Sequence, residues 1–207
     1  MKSEMPYHGV ASTPFKAVCR EVFANYVAKP ESWSDDVLSI WREATFREER
    51  YAAIRLAAHK SAKKLQTPDV LPMYEEMIVT GAWWDYVDDL ATHHVANLVI
   101  TYPSDLKTAM RTWSKCSTKE PGWMWKRRTS ILCQLPLHGE MDLKLLYGCI
   151  EPSIESKEFF LRKAIGWALR DLAWHRPQEV IRYVKEKDAV LSGLSKREAL
   201  KNIHKVT

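Results

Sequence analysis

Apolar residues recur along most of this chain at the three-to-four-residue interval of an amphipathic helix, and runs alternating Val, Ile or Thr with polar residues are few. The spacing predicts helices near 14–28, 34–45, 47–60, 69–80, 84–100, 104–115, 122–135, 140–150, 156–174, 177–187 and 195–204. Breaks fall at residues that end or start helices: Pro30, Thr67-Pro68-Asp69, Gly81, Pro103-Ser104, Pro121-Gly122, Gly139, Pro152-Ser153 and Pro177. With seven glycines in 207 residues and no low-complexity stretch, the expected fold is all-α. No linker is evident, so the expected organisation is a single domain over residues 1–207.

A weak internal repeat refines this. Tyr51-Ala52-Ala53-Ile54, Arg128-Thr129-Ser130-Ile131 and Arg162-Lys163-Ala164-Ile165 each set a small residue before Ile in a helix flanked by Arg. Their Ile positions lie 77 and 34 residues apart, which fits paired-helix repeats of the HEAT type, at about 40 residues each. The expected architecture is an α-solenoid of HEAT-like helical repeats with a concave basic face. Each hairpin hides its apolar side against the next, and basic residues of the inner helices line the hollow.

Charge and composition narrow the chemistry. Lys plus Arg number 31 against 26 acidic residues, a net +5, which is compatible with a nucleic-acid partner. Nine Trp exceed what a helical core of this size needs. Cys19, Cys116, Cys133 and Cys149 are far apart and form no CxxC pair, so they read as reduced, buried thiols. No run approaches the roughly 18 apolar residues of a membrane span, and residues 1–9 hold no signal-peptide core. A cytoplasmic protein with no membrane partner is expected.

Three clusters could carry function. In Trp83-Trp84-Asp85-Tyr86-Val87-Asp88, Trp84 and Asp88 stand four apart and share one helix face. An indole beside a carboxylate on a basic protein suits something cationic carried on something anionic. Asp85 has an ordinary explanation, because a carboxylate near a helix start is favoured by the dipole; packing beneath a neighbouring helix would equally account for Trp84. Trp123-Met124-Trp125-Lys126-Arg127-Arg128 interleaves aromatics with cations, as phosphate-backbone binders do, or else is a solvated face over core indoles. In the third, Phe160, Ala164, Trp167 and Asp171 share one face, with Trp167 either a site residue or core. Gly166 in mid-helix costs ~1 kcal/mol relative to Ala and so implies a close approach. Trp113 and Trp174 read as core. His93-His94 and His175 lack partners at metal spacing, and no GxSxG, P-loop or GxGxxG motif occurs. No metal and no cofactor are expected.

In this order, the clusters closely resemble the DNA alkylation repair family of AlkD-like, HEAT-repeat DNA glycosylases. The resemblance takes in Met5 to Val10, Trp41 with Arg47 to Ala53, Trp83 to Asp88, Trp125 to Ile131, Phe159 to Arg170 and Leu191 to Ala199. It implies Asp88 as the catalytic carboxylate, Trp84 and Trp167 as the indoles flanking the lesion, and Arg128 as the active-site arginine. Arg127 is the alternative if the segment from Cys116 to Gly122, which looks like an insertion, shifts the alignment by one. Family members usually carry a further N-terminal helix before the segment matching Met5 to Val10.

The implied reaction is hydrolysis of the N-glycosidic bond of positively charged alkylated purines, of the 3-methyladenine and 7-methylguanine type and extending to bulky adducts, in duplex DNA. Such a base already leaves well, so one anion suffices: Asp88 stabilises the oxocarbenium-like sugar and orients water. Trp84 and Trp167 would hold sugar and lesion by face-on contacts, Arg128 would anchor a flanking phosphate, and Lys126, Arg127, Arg162, Lys163 and Arg170 would bind the DNA backbone. A monomer with no obligate protein partner is expected. The alternatives are a non-catalytic HEAT-like module binding damaged or branched DNA, and a protein-interaction scaffold, which explains the repeats but not the pairing of Trp84 with Asp88.

Overall fold

The computed structural model describes residues 5–205, and among these it contains helices and turns but no strand. The fold is all-α. Twelve α-helices are present among the described residues: α1 Ser12–Val22, α2 Trp33–Glu43, α3 Arg47–Ala57, α4 Leu71–Gly81, α5 Trp84–Asp89, α6 Ala96–Thr101, α7 Pro103–Ser114, α8 Trp123–Leu132, α9 Leu143–Ile150, α10 Phe159–Ala173, α11 Pro177–Glu186 and α12 Gly193–Ala199. None is long and apolar enough to cross a membrane. Contacts divide the chain into two compact units that meet within α4, the first ending at Met77 and the second starting at Ile78.

In the first unit α2 packs on α3. Trp33, Val37 and Trp41, one turn apart on α2, are all buried, as are Ala53, Ile54 and Ala57 on α3. The segment before α1 is tied to the start of α3. The Glu48 carboxylate accepts from the backbone N–H groups of His8, Gly9 and Val10 at 3.0, 3.0 and 3.3 Å, and the Arg47 N–H donates to Pro6 O. Burial alone would raise the Glu48 pKa; these donors outweigh it and hold the group below its usual value.

The core of the second unit is built on α10, which packs against α8, α11 and α12. The repeat residues Ile131 and Ile165 are buried there, and Ile54 is buried in the first unit. Gly166 is where α12 comes closest to α10: a Cβ at that position would lie 2.5 Å from Glu198 Cβ and 3.1 Å from Ser195 O. The mid-helix glycine therefore marks a close approach, as its cost implied.

Beyond shifts of a few residues at helix ends, the structure departs from the expectations at four points, one being the helix expected over 195–204, which runs Gly193–Ala199. The helix expected over 14–28 ends at Val22, followed by turns over 23–25 and irregular chain over 26–29; Lys29 precedes Pro30 and so disfavours the helical region, and Ala28 N–H donates to Ser61 Oγ at 2.9 Å. The helix expected over 84–100 is interrupted by a π turn over Leu90–Val95. Trp174, read as core, is 46 % exposed, whereas Trp113 is buried as expected. The reason is geometric: Trp174 lies seven residues, two turns, beyond Trp167 and so points away from the core with it. All four cysteines are buried free thiols.

Candidate active site

The helix carrying the first cluster starts where Ala82 adopts φ 42° and Trp83 is extended. Tyr86, Val87 and Leu90 are buried, which anchors one face and leaves Trp84 and Asp88 on the other. Trp84 is 41 % exposed. The ring face is therefore open to stack on a ligand. Asp88 sits deeper, with its side chain 14 % exposed.

Its partner comes from α8. Arg128 donates from Nε to Asp88 Oδ1 at 2.7 Å and from Nη2 to Oδ2 at 2.8 Å, a two-pronged pair. Its third nitrogen, Nη1, donates to the Phe160 carbonyl of α10 at 2.5 Å. Three helices thus converge on one carboxylate. Arg128 is only 4 % exposed, so its guanidinium orients Asp88 rather than reaching outward to a phosphate as the resemblance implied. Beneath the pair, the Phe160 ring lies 5.0 Å from that of Trp125 and 6.2 Å from that of Trp83. Trp83 is therefore packing, and Trp84 is the presented indole.

Burial pushes the Asp88 pKa up, the Arg128 hydrogen bonds and charge pull it back in part, and the Asp85 charge pushes it up further; the result lies above the usual 3.8. Arg128 thus offsets only part of what burial costs the ionised form. The π turn adds a further hold, because the Thr92 hydroxyl, four residues on, donates to the Asp88 carbonyl at 2.7 Å.

Trp167 lines a cleft of about 520 Å³ together with Thr92, Ala96, Ile100, Leu135 and Pro136. Asp88 and Trp84 do not line it; Thr92, one turn from Asp88, links the two. At the cleft's polar end, Asp171 of α10 accepts from His138 Nδ1 at 3.1 Å, and His138 is held at φ 47° and ψ −117°.

The basic residues separate. Lys126 lies over the Trp113 ring and 3.5 Å from Glu120. Arg127 donates to the carbonyls of Cys116 and Pro152 and lies over Trp123, bracing the 116–122 loop rather than facing Asp88, so Arg128 is the arginine at the carboxylate. Lys163 and Arg170 both pair with Glu198 of α12. Arg162 is half-buried with a buried Nε. Sequence reasoning missed Thr92, whose i+4 offset from Asp88 was a usable signal, and His138 and Glu198, whose places depend on loops and helix crossings that leave no local trace.

Residues 1–203 match the family model for the DNA alkylation repair enzyme. The solved structure of a predicted DNA alkylation repair enzyme from Enterococcus faecalis is similar, with a TM-score of 0.77 and 25 % identity over 94 % of this chain and 87 % of that one. No match is found among curated proteins. An anion clamped beside an exposed indole, within a helical fold that one family model spans almost end to end, places this chain: it belongs to the DNA alkylation repair enzyme family.

Proposed function

We propose that the protein is a monofunctional DNA glycosylase that hydrolyses the N-glycosidic bond of positively charged alkylated purines in duplex DNA. The observation that carries this reading is Asp88, a carboxylate fixed at both oxygens by buried Arg128 one turn from exposed Trp84.

An N3- or N7-alkylated purine departs with the bonding pair as a neutral base, leaving positive charge on C1′ and the ring oxygen of the sugar. Each oxygen of Asp88 accepts one bond from Arg128 and keeps a lone pair, so the carboxylate can face the developing cation without reorganising. Water adds at C1′ on the side the carboxylate guards and loses its proton to Asp88 or to solvent. Because the leaving base is already charged, no general acid is required. Trp84 and Trp167 supply ring faces to the sugar and the lesion, with cation–π attraction of ~0.5–2 kcal/mol. Arg162, Lys163 and Arg170 of α10, with Lys126 of α8, form the backbone-binding set, Glu198 moderates the charge of Lys163 and Arg170, and Arg127 braces the adjoining loop through the Cys116 and Pro152 carbonyls.

The decisive experiment is release of free 7-methylguanine and 3-methyladenine from methylated duplex DNA by the purified chain, with undamaged duplex as the control. Binding without release of either base would favour a non-catalytic DNA-binding module instead.

A further inference from the structure

The first unit holds a second concavity, of about 360 Å³, between the C-terminal half of α1 and the end of α3. Lys16, Arg20, Arg55 and Lys60 line it, and Cys19 and Phe23 lie among its walls. All four cationic side chains belong to exposed residues. No carboxylate lines the hollow, and among the described residues none of the four cations has an acidic partner. This contrasts with the second unit, where Lys163 and Arg170 share Glu198 and Arg128 is matched to Asp88.

Ordinary helix energetics explain only part of this. Arg20 and Arg55 stand in the last turns of α1 and α3, where the helix dipole attracts a cation weakly. That accounts for neither Lys16, one turn earlier on the same face as Arg20, nor Lys60 beyond the end of α3. Four like charges around one hollow repel each other, and among the described residues no carboxylate lines the hollow to offset them. The wall adds no negative charge either: burial pushes the Cys19 thiol up, and the Arg55 charge only partly counters it, so the sulfur stays neutral at physiological pH. His59 is turned to its neighbour, with Nδ1 2.7 Å from Ser61 Oγ.

We infer that this hollow is a binding site for a phosphate-bearing anion, held by the two guanidinium forks of Arg20 and Arg55 and flanked by the ammonium groups of Lys16 and Lys60. Guanidinium groups match the paired oxygens of phosphate, while lysines contribute charge without directional demand. The volume lies at the lower end of small-ligand sites, about 300–1,000 Å³, which leaves room for linked phosphates. The same chemistry serves a backbone phosphate of DNA or a free polyphosphate compound.

Tripolyphosphate titrated calorimetrically into the full chain tests the site, comparing wild type with Arg20→Gln/Arg55→Gln and, independently, with Lys16→Gln/Lys60→Gln. The positions are exposed, so unchanged thermal melts are expected, and the second pair serves if the first melts early. Affinity should weaken at least tenfold in each. Undamaged duplex is then titrated at several salt concentrations. A slope of log affinity against log salt that falls by about 2 in the double variants assigns the phosphate to the DNA backbone. Loss of tripolyphosphate binding at unchanged slope assigns it to a free compound. If neither readout differs between wild type and both variants, the site is overturned. Base release enters neither measurement, so the outcome is independent of the glycosylase reading.

Discussion

Replacing Asp88 by Asn removes the charge while keeping the shape, and the geometry around it sets the size of the effect. The Asn carbonyl still accepts from Arg128 Nε, where Asp88 Oδ1 stood at 2.7 Å. The Asn amide, however, now faces Arg128 Nη2, 2.8 Å from the former Oδ2, which sets a donor against a donor. Losing one charge-assisted hydrogen bond costs about 1.5–3 kcal/mol of stability, reduced here because Asp88 retains some contact with water. The effect on chemistry is larger. Removing one preorganised electrostatic contact to a developing charge costs about 3–4 kcal/mol, or roughly 10²–10³ in rate. Single-turnover release of 7-methylguanine from a duplex, measured well below the melting temperature of the variant, isolates the chemical step. Duplex affinity should hold or rise, since an anion near a phosphate backbone has been removed. Asp85→Asn is the control and should stay within a few-fold of wild type. Equal single-turnover rates for wild type and Asp88→Asn would refute the assignment.

On the proposed mechanism excision requires ionised Asp88, so it should be present above that pKa and lost as pH falls through it. Burial raises the pKa, so the acid limb of the rate profile should lie above the 3.8 of an ordinary Asp, and Asp85→Asn, which removes one of the raising charges, should move it down. Gly166→Ala places a Cβ 2.5 Å from Glu198 Cβ; overpacking of this kind costs about 1–3 kcal/mol and should appear as a lower melting temperature with α12 exchanging its amide protons first. Duplex affinity should fall linearly with log salt, and Arg162→Gln should lower that slope by about 1. Lys163→Gln should lower it less, because Glu198 already claims that ammonium, and a larger effect for Lys163 would reverse the ranking.

The helices were legible because their burial follows their period: Ile131 and Ile165, picked out by a faint repeat, are both buried in the second unit. The Trp84 and Asp88 pairing was legible because positions four apart must share a face. The partner of Asp88 was not, since Arg128 lies 40 residues away and only the family resemblance pointed to it. Its orienting role emerged from three helices converging, which no spacing rule encodes. Trp174 is exposed because helical phase, not indole hydrophobicity, decides the face it takes. His138 could not be anticipated, because nothing in Leu137-His138-Gly139 announces that the histidine takes the positive φ that brings it to Asp171.

The π turn at Leu90–Val95 has a consequence for how this helix can vary. One extra residue per turn rotates everything beyond it by about 100° relative to an unbroken α-helix. Trp84 and Asp88 lie on one side of this joint, and Ala96 and Ile100, which wall the Trp167 cleft, lie on the other. The two ends therefore keep separate angular settings along one continuous rod. Straightening the joint at constant length would swing the cleft wall by about 100° relative to the carboxylate clamp, whereas deleting a single residue from it would restore a uniform helix and leave both in register, because the residue removed is the one the wide turn absorbs. Removal of one residue at this one place would therefore be absorbed locally, and the faces that Asp88 and Ile100 present would keep their relative setting.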